Sequence, residues 1–131
     1  MRPSRFIGPA LAALASACAV WPAQAASPSR EVAAGEAAAA RLLADPASAR
    51  FRRLSLHGDV VCGEMAGDGG AFRGFYAYRE DPAWVGHAAK DTRSLQGGLQ
   101  CFDAENRSGR SQAACAGYDF GFYFAYDHFC R

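Results

Sequence analysis

Five cysteines and three histidines are the side chains with the most versatile chemistry in this chain of 131 residues. The cysteines stand at positions 18, 62, 101, 115 and 130, and no two have the C-x-x-C spacing of thiol oxidoreductases or zinc knuckles. His57, His87 and His128 are widely separated, so no pair has the i, i+3 or i+4 spacing of a helical metal site. These spacings favour structural disulfides, and we predict neither a metal site nor a cofactor.

The first 25 residues are typical of a secretory signal peptide. Two arginines precede an apolar run over residues 6–21, and a small-x-small motif ends at Ala25. The run is shorter than the roughly 20 residues that a membrane span needs, so we predict cleavage rather than a transmembrane span. An alternative is lipoprotein processing at Cys18, which follows an imperfect lipobox.

Cleavage after Ala25 would leave 106 residues, enough for a single α+β domain over residues 26–131. Cys18 would be lost, and the four remaining cysteines would suit two disulfides in a periplasmic or secreted protein. Four cysteines allow three pairings, and spacing alone does not decide among them. We favour a nested pairing that ties the C-terminus to the central strands and closes a polar loop: Cys62 with Cys130, and Cys101 with Cys115.

The charge of the mature chain is close to zero. Loss of Arg2 and Arg5 leaves 12 basic against 13 acidic residues. A protein that binds nucleic acid usually has a basic face, so we predict no nucleic-acid partner. We interpret Arg52 and Arg53 as solvated side chains on the outer face of a strand.

Hydrophobic periodicity predicts one helix and then three strands. Ser27-Pro28 is typical of a helix start, and the helix should extend to residue 44, where Asp45-Pro46 ends it. Alternating residues predict strands over residues 51–57 and 72–79, and residues 60–65 read as a strand between the turn at 58–59 and the glycine-rich breaker at 67–70. The three strands would form an antiparallel meander. Gly74 lies inside the third strand and indicates a bulge or a close approach, where an aromatic ring could cover it.

The second half of the chain has weaker patterns. We expect a short strand over residues 99–102. Aromatic residues occupy every even position from 118 to 126, which predicts another strand, although the last turn, residues 125–130, also fits a helix. The predicted fold is therefore α+β: an N-terminal helix packs on a small antiparallel sheet, and disulfides stabilise the domain.

Glu64 is the carboxylate with the strongest claim to a special role. It lies on an otherwise apolar strand, so a buried Glu64 would need a cationic partner, and we expect Arg73 or Arg79 on the neighbouring strand. A structural ion pair is the expected role. The catalytic alternative would combine Glu64 with Asp119 or Asp127 in a glycosidase-like site.

Aromatic residues are numerous for so small a domain. Those left exposed on the sheet would form a face suited to a ligand or another protein. We therefore list Tyr76, Tyr78, Trp84 and Glu64 as possible binding residues, and we predict no catalytic residue. The alternative is that these rings simply fill an aromatic core.

Several short motifs occur together: Asp45-Pro46-x-Ser48-x-x-Phe51, Val61-Cys62-Gly63-Glu64, Gly70, Gly74-Phe75 and the terminal Cys130. In this order they resemble a widespread group of small exported bacterial proteins of unknown function. The resemblance covers residues 42–75 and the last few residues. It implies export and a Cys62–Cys130 pair, and it carries over no catalytic residue.

These observations predict a small exported protein with two disulfides that acts as a binding or inhibitor-type module rather than as an enzyme. Its partner would be a protein or an envelope component, bound by the sheet face or by the disulfide-closed loop. The alternatives are a small envelope hydrolase that uses Glu64 with an aspartate, and a structural envelope protein anchored by a lipid at Cys18.

Overall fold

The computed structural model describes residues 28–110 and 112–131. The expected signal peptide and Cys18 lie outside these residues. In chain order the helices and strands are α1 Pro28–Ala40, β1 Arg50–His57, β2 Val60–Ala66, β3 Arg73–Glu80, β4 Ala83–Ala88, α2 Leu95–Ser108 and α3 Phe120–Cys130. Short 3₁₀ turns at Pro46–Ser48 and Ala113–Cys115 precede β1 and α3.

The four strands form one antiparallel sheet in the order β1-β2-β3-β4. Helix α1 packs on one face, while α2 and α3 cover the other. Strand β2 is consequently buried along its whole length. The α+β class, the helix on the sheet and the three-stranded meander are confirmed, and β4 extends the meander by one strand.

Small residues bring α1 close to the sheet. Ala39 packs with Val61, Met65 and Phe75 in a fully buried cluster. The helix ends at Ala40, four residues earlier than expected, and Leu42 is exposed. Among the described residues, no helix has both the length and the apolar character that a membrane crossing requires.

Aromatic rings fill the opposite face, where Phe102 from α2 and Phe122, Tyr123 and Tyr126 from α3 pack together. Phe122 also covers Gly74, as expected: a Cβ at this glycine would lie 3.1 Å from the ring.

Both disulfides lie on the aromatic side of the sheet. Cys62–Cys130 joins β2 to the end of α3, and Cys101–Cys115 joins α2 to the turn before α3. This is the nested pairing favoured from the sequence.

Two expected strands are helical, so those predictions are wrong. Residues 99–102 lie within α2, where Leu95, Leu99 and Phe102 follow helical spacing and Ser94 caps the N-terminus through a bond from the Gly97 N–H. Residues 120–126 lie within α3, which Asp119 caps by accepting a bond from the Phe122 N–H. The even-numbered aromatics also satisfy i, i+4 spacing, so their period of two did not discriminate between strand and helix.

Candidate functional site

Glu64 is buried, with 1% of its surface exposed, and two arginines of β1 meet its carboxylate. Arg52 Nε donates a 2.5 Å hydrogen bond to Oε2, and Arg53 Nη1 lies 3.7 Å from Oε1. The expected ion pair is present, but its partners are not Arg73 or Arg79. Arg52 and Arg53 have exposed side chains, as expected, but they also pair with Glu64.

A β-bulge explains why two consecutive arginines reach the same carboxylate. The β1–β2 register shifts between Arg52 and Ser55, and Arg53 adopts a left-handed backbone with φ 54°. An extra residue in one strand cancels the normal alternation, so neighbours share a face. Gly63 makes room for the bulge, because a Cβ there would lie 2.9 Å from Leu54 Cδ2 and 3.1 Å from the Arg52 carbonyl oxygen.

The two arginines expected beside Glu64 have other partners. Arg73 donates to the Ala89 carbonyl oxygen. Arg79 is in the layer next to α1, where it pairs with Asp81 at 3.0 Å and lies 3.9 Å from Glu31. The strand pairing agrees with these partners, since Glu64 lies opposite Gly74 on β3 and opposite Arg52 on β1.

Glu64 and Arg53 line a pocket of about 410 Å³ between the bulge, α2 and the C-terminal residue. We call it the bulge pocket. Its remaining lining is mixed polar and apolar: Leu95, Gln96, Leu99, Gln100, Asp103 and Arg131. Sequence reasoning missed this pocket because its helical wall was predicted as a short strand; the spacing of Leu95, Leu99 and Phe102 was the available signal.

A second arginine stands at the far wall of the bulge pocket. Arg131 donates to both carboxylate oxygens of Asp103, at 3.0 and 3.1 Å, and lies 3.3 Å from Asp127. These carboxylates raise the pKa of Arg131, so its positive charge is secure. The pocket therefore contains two guanidinium groups and two carboxylates.

Neither aspartate proposed as a catalytic partner of Glu64 is placed with it in the bulge pocket. Asp119 caps α3, and its second oxygen accepts a bond from the Lys90 N–H. Asp127 pairs with Arg131 one turn along α3. The carboxylate that shares the pocket with Glu64 is Asp103.

The possible binding residues divide between the two faces of the sheet. Tyr76 is buried against Phe122, and Tyr78 packs at the edge of the same cluster. Trp84 packs on the opposite face, in the cluster beneath α1. Tyr76, Tyr78 and Trp84 therefore do not share an exposed sheet face, because helices cover both sides.

Exposed aromatic rings lie instead on α3. Phe124 is 61% exposed and Phe120 is 43% exposed, and their rings stack with centroids 6.1 Å apart. Phe102 lies beneath both rings. We call Phe120 and Phe124 the aromatic pair of α3.

The buried tyrosines near α3 are held in their neutral form. Burial is the main cause that raises the pKa of Tyr76, Tyr123 and Tyr126. Burial and a hydrogen bond to Glu105 raise the pKa of Tyr118 to about 12.

Within residues 28–110 and 112–131 there is no cluster of three or more histidine, cysteine, aspartate or glutamate side chains that could hold a metal ion.

No protein-family model, curated protein or solved structure matches this chain. The resemblance to small exported bacterial proteins stays a prediction. The bulge pocket and the aromatic pair of α3 are the two candidate sites.

Proposed function

We propose that this protein is a small exported binding or inhibitor-type module that recognises a protein partner through the aromatic pair of α3. The observation that carries the proposal is the exposure of Phe120 and Phe124 as a stacked pair on the surface. Large aromatic side chains supply much of the binding energy at protein interfaces, and they do so best on a rigid support.

The support for these rings is rigid at both ends. Cys130, the last residue of α3, is bonded to Cys62 on the buried strand β2, and Asp119 caps the first turn. Little conformational entropy would be lost when a partner covers the rings, which favours affinity. Two disulfides also suit the periplasm or the extracellular space, where such bonds persist.

No observation favours the hydrolase alternative. In the bulge pocket, Glu64 accepts a hydrogen bond from Arg52 and Asp103 accepts two from Arg131. Guanidinium groups therefore engage both carboxylates, whereas a glycosidase-like pair needs two carboxyl groups placed to act on a substrate. The lipid-anchored alternative depends on Cys18, outside the described residues.

A photo-crosslinking experiment tests the proposal. A photoreactive phenylalanine analogue replaces Phe124 in one variant and Leu42, which is 47% exposed outside the aromatic pair, in a matched control. The proteins are irradiated in the exporting cell. We expect a discrete crosslinked protein from position 124 and none from position 42, and Phe120→Ser should abolish it. Equal crosslinking from both positions, or none from position 124, would refute the proposal.

A further inference from the structure

We propose that the bulge pocket is a second binding site, which takes a small organic ligand by its carboxylate, with Arg53 as the recognition residue. This site is separate from the aromatic pair of α3.

The pocket lining carries two arginines and two carboxylates, but its two arginines are not engaged to the same degree. Glu64 is a single carboxylate that faces two guanidinium groups. Arg52 is committed, since it donates to Glu64 and lies 4.0 Å over the centre of the Phe72 ring. Arg53 is not: its distance of 3.7 Å from Glu64 exceeds a hydrogen bond, and its side chain is 67% exposed. Arg53 is therefore the arginine of the pocket whose N–H groups can bind a ligand.

The backbone at Arg53 is strained in a way that presents this charge. A left-handed conformation is uncommon for a residue other than glycine, asparagine or aspartate, and such residues concentrate at ligand sites. Without the bulge, Arg53 would face the opposite side of the sheet from Arg52. The bulge, for which Gly63 makes room, places Arg52 opposite Glu64 and keeps Arg53 beside it, so both guanidinium groups lie on the face of Glu64.

The rest of the lining limits the ligand to a monoanion with an organic body. One loosely engaged guanidinium group suits one carboxylate, and the nearby Glu64 and Asp103 would repel the second negative charge of a dianion such as phosphate. A planar guanidinium can grip a carboxylate through two parallel hydrogen bonds. Gln96 and Gln100 offer amide donors and acceptors, and Leu95 and Leu99 offer apolar contact.

Two-dimensional NMR of the isotope-labelled protein, purified from the exporting cell, tests the site with two probes. N-acetylalanine has a carboxylate and no ammonium group, whereas alaninamide has the reverse. We expect N-acetylalanine to shift the signals of Arg53, Gln96 and Gln100 in a saturable manner, and alaninamide to leave them in place. An N-acetylated tripeptide that binds more tightly would identify a chain end as the ligand, and weaker binding would identify a free small molecule.

Arg53→Gly is the decisive variant because it separates binding from folding. Glycine tolerates φ 54°, so the thermal midpoint should not fall, although the charge is lost. We expect its affinity for N-acetylalanine to drop about tenfold or more, the loss of a charge-assisted contact. Arg50→Gln is the matched control, since Arg50 lies over Phe72 and outside the pocket lining. The proposal is overturned if N-acetylalanine shifts no pocket signal, if alaninamide binds as well, or if Arg50→Gln weakens binding as much as Arg53→Gly.

Discussion

The two faces of the sheet are packed by different means. Toward α1 the contacts are made by small side chains: Gly35 lies against Val61, and Gly86 lies against the backbone of Ala38. Toward α2 and α3 the sheet meets a layer of aromatic rings. Both disulfides are on this second side.

This difference in packing explains why the exposed aromatic pair and the bulge pocket lie on the same side of the sheet. Small residues let α1 approach the sheet closely and leave little apolar surface outside. Aromatic rings occur nearly all round α3, so the helix cannot bury every one, and Phe120 and Phe124 remain on the surface. The bulge pocket also opens on this side, between the sheet and α2. The α1 face therefore serves stability, and the opposite face carries the candidate sites.

The largest expected effect is on the aromatic face, from removal of the long-range disulfide. Cys62→Ala with Cys130→Ala should lower the free energy of unfolding by about 4 kcal/mol, because the bond joins residues 68 apart in sequence. Cys101→Ala with Cys115→Ala removes a bond across 14 residues and should cost about 3 kcal/mol. Denaturant unfolding of both double variants measures these losses. A greater loss from the shorter loop would contradict the chain-entropy argument.

A smaller but sharper test concerns Gly98, which lies under Tyr123 on the same face. A Cβ at Gly98 would lie 1.7 Å from the Tyr123 ring, so the buried ring would have to move. We expect Gly98→Ala to destabilise the protein by about 2 to 3 kcal/mol, as overpacked cores do. Gly97→Ala is the neighbouring control: its nearest contact is Ser94 Oγ at 3.3 Å, and alanine favours the helix by about 0.5 to 1 kcal/mol. Thermal unfolding distinguishes the two, and equal midpoints would mean that Tyr123 shifts without cost.

Gly86→Ala applies the same test to the α1 face. There the obstacle is backbone, with the Ala38 carbonyl carbon and oxygen 2.9 Å from the added Cβ. Helix α1 could move away as a unit, because the described disulfides do not hold it. We expect a loss of about 1 to 2 kcal/mol, below that of Gly98→Ala. A larger loss would show that α1, rather than the aromatic face, is the more rigidly packed side.

The elements that the sequence predicted correctly have clear local boundaries. Turn residues at 58–59 and 67–70 separate β1, β2 and β3, and the start of α1 has a clear cap and proline. Helix α3 was predicted as a strand because its aromatic residues fit both the strand period and the helical period. Helix α2 was missed because Gly97-Gly98 weakens the helical pattern that begins at Ser94 and Leu95. The second glycine is needed there for Tyr123, a tertiary contact that a local pattern does not show.

The candidate site was predictable only in part. Glu64 was identified because a carboxylate on an apolar strand needs a cation. Its actual partners depend on the bulge, which the sequence does not indicate. Arg53 adopts a left-handed backbone, and arginine is a residue type that rarely does so. The exposed pair Phe120 and Phe124 was missed for the same reason as α3 itself, because which rings face outward depends on the helical period.

The smallest expected effect is a pH dependence at Tyr118, beside the aromatic pair. Its pKa rises from 10.0 to about 12 in the folded protein, through burial and a hydrogen bond from its hydroxyl to Glu105. Between these two pH values the unfolded chain releases the proton while the folded protein keeps it. The stabilisation is therefore complete below pH 10 and is lost as the pH rises through 12.

Tyr118→Phe removes this dependence together with the hydrogen bond. At neutral pH we expect the variant to be less stable by about 1 kcal/mol, typical of one hydrogen bond, and the stability advantage of the wild type should fall as the pH rises from 10 to 12. Chemical unfolding at a series of alkaline pH values follows the difference directly. The other buried tyrosines titrate in both proteins, so their contributions cancel. A difference that stays constant from pH 9 upward would show that Tyr118 has the same pKa in the folded and unfolded protein, and would contradict the effect of burial and Glu105.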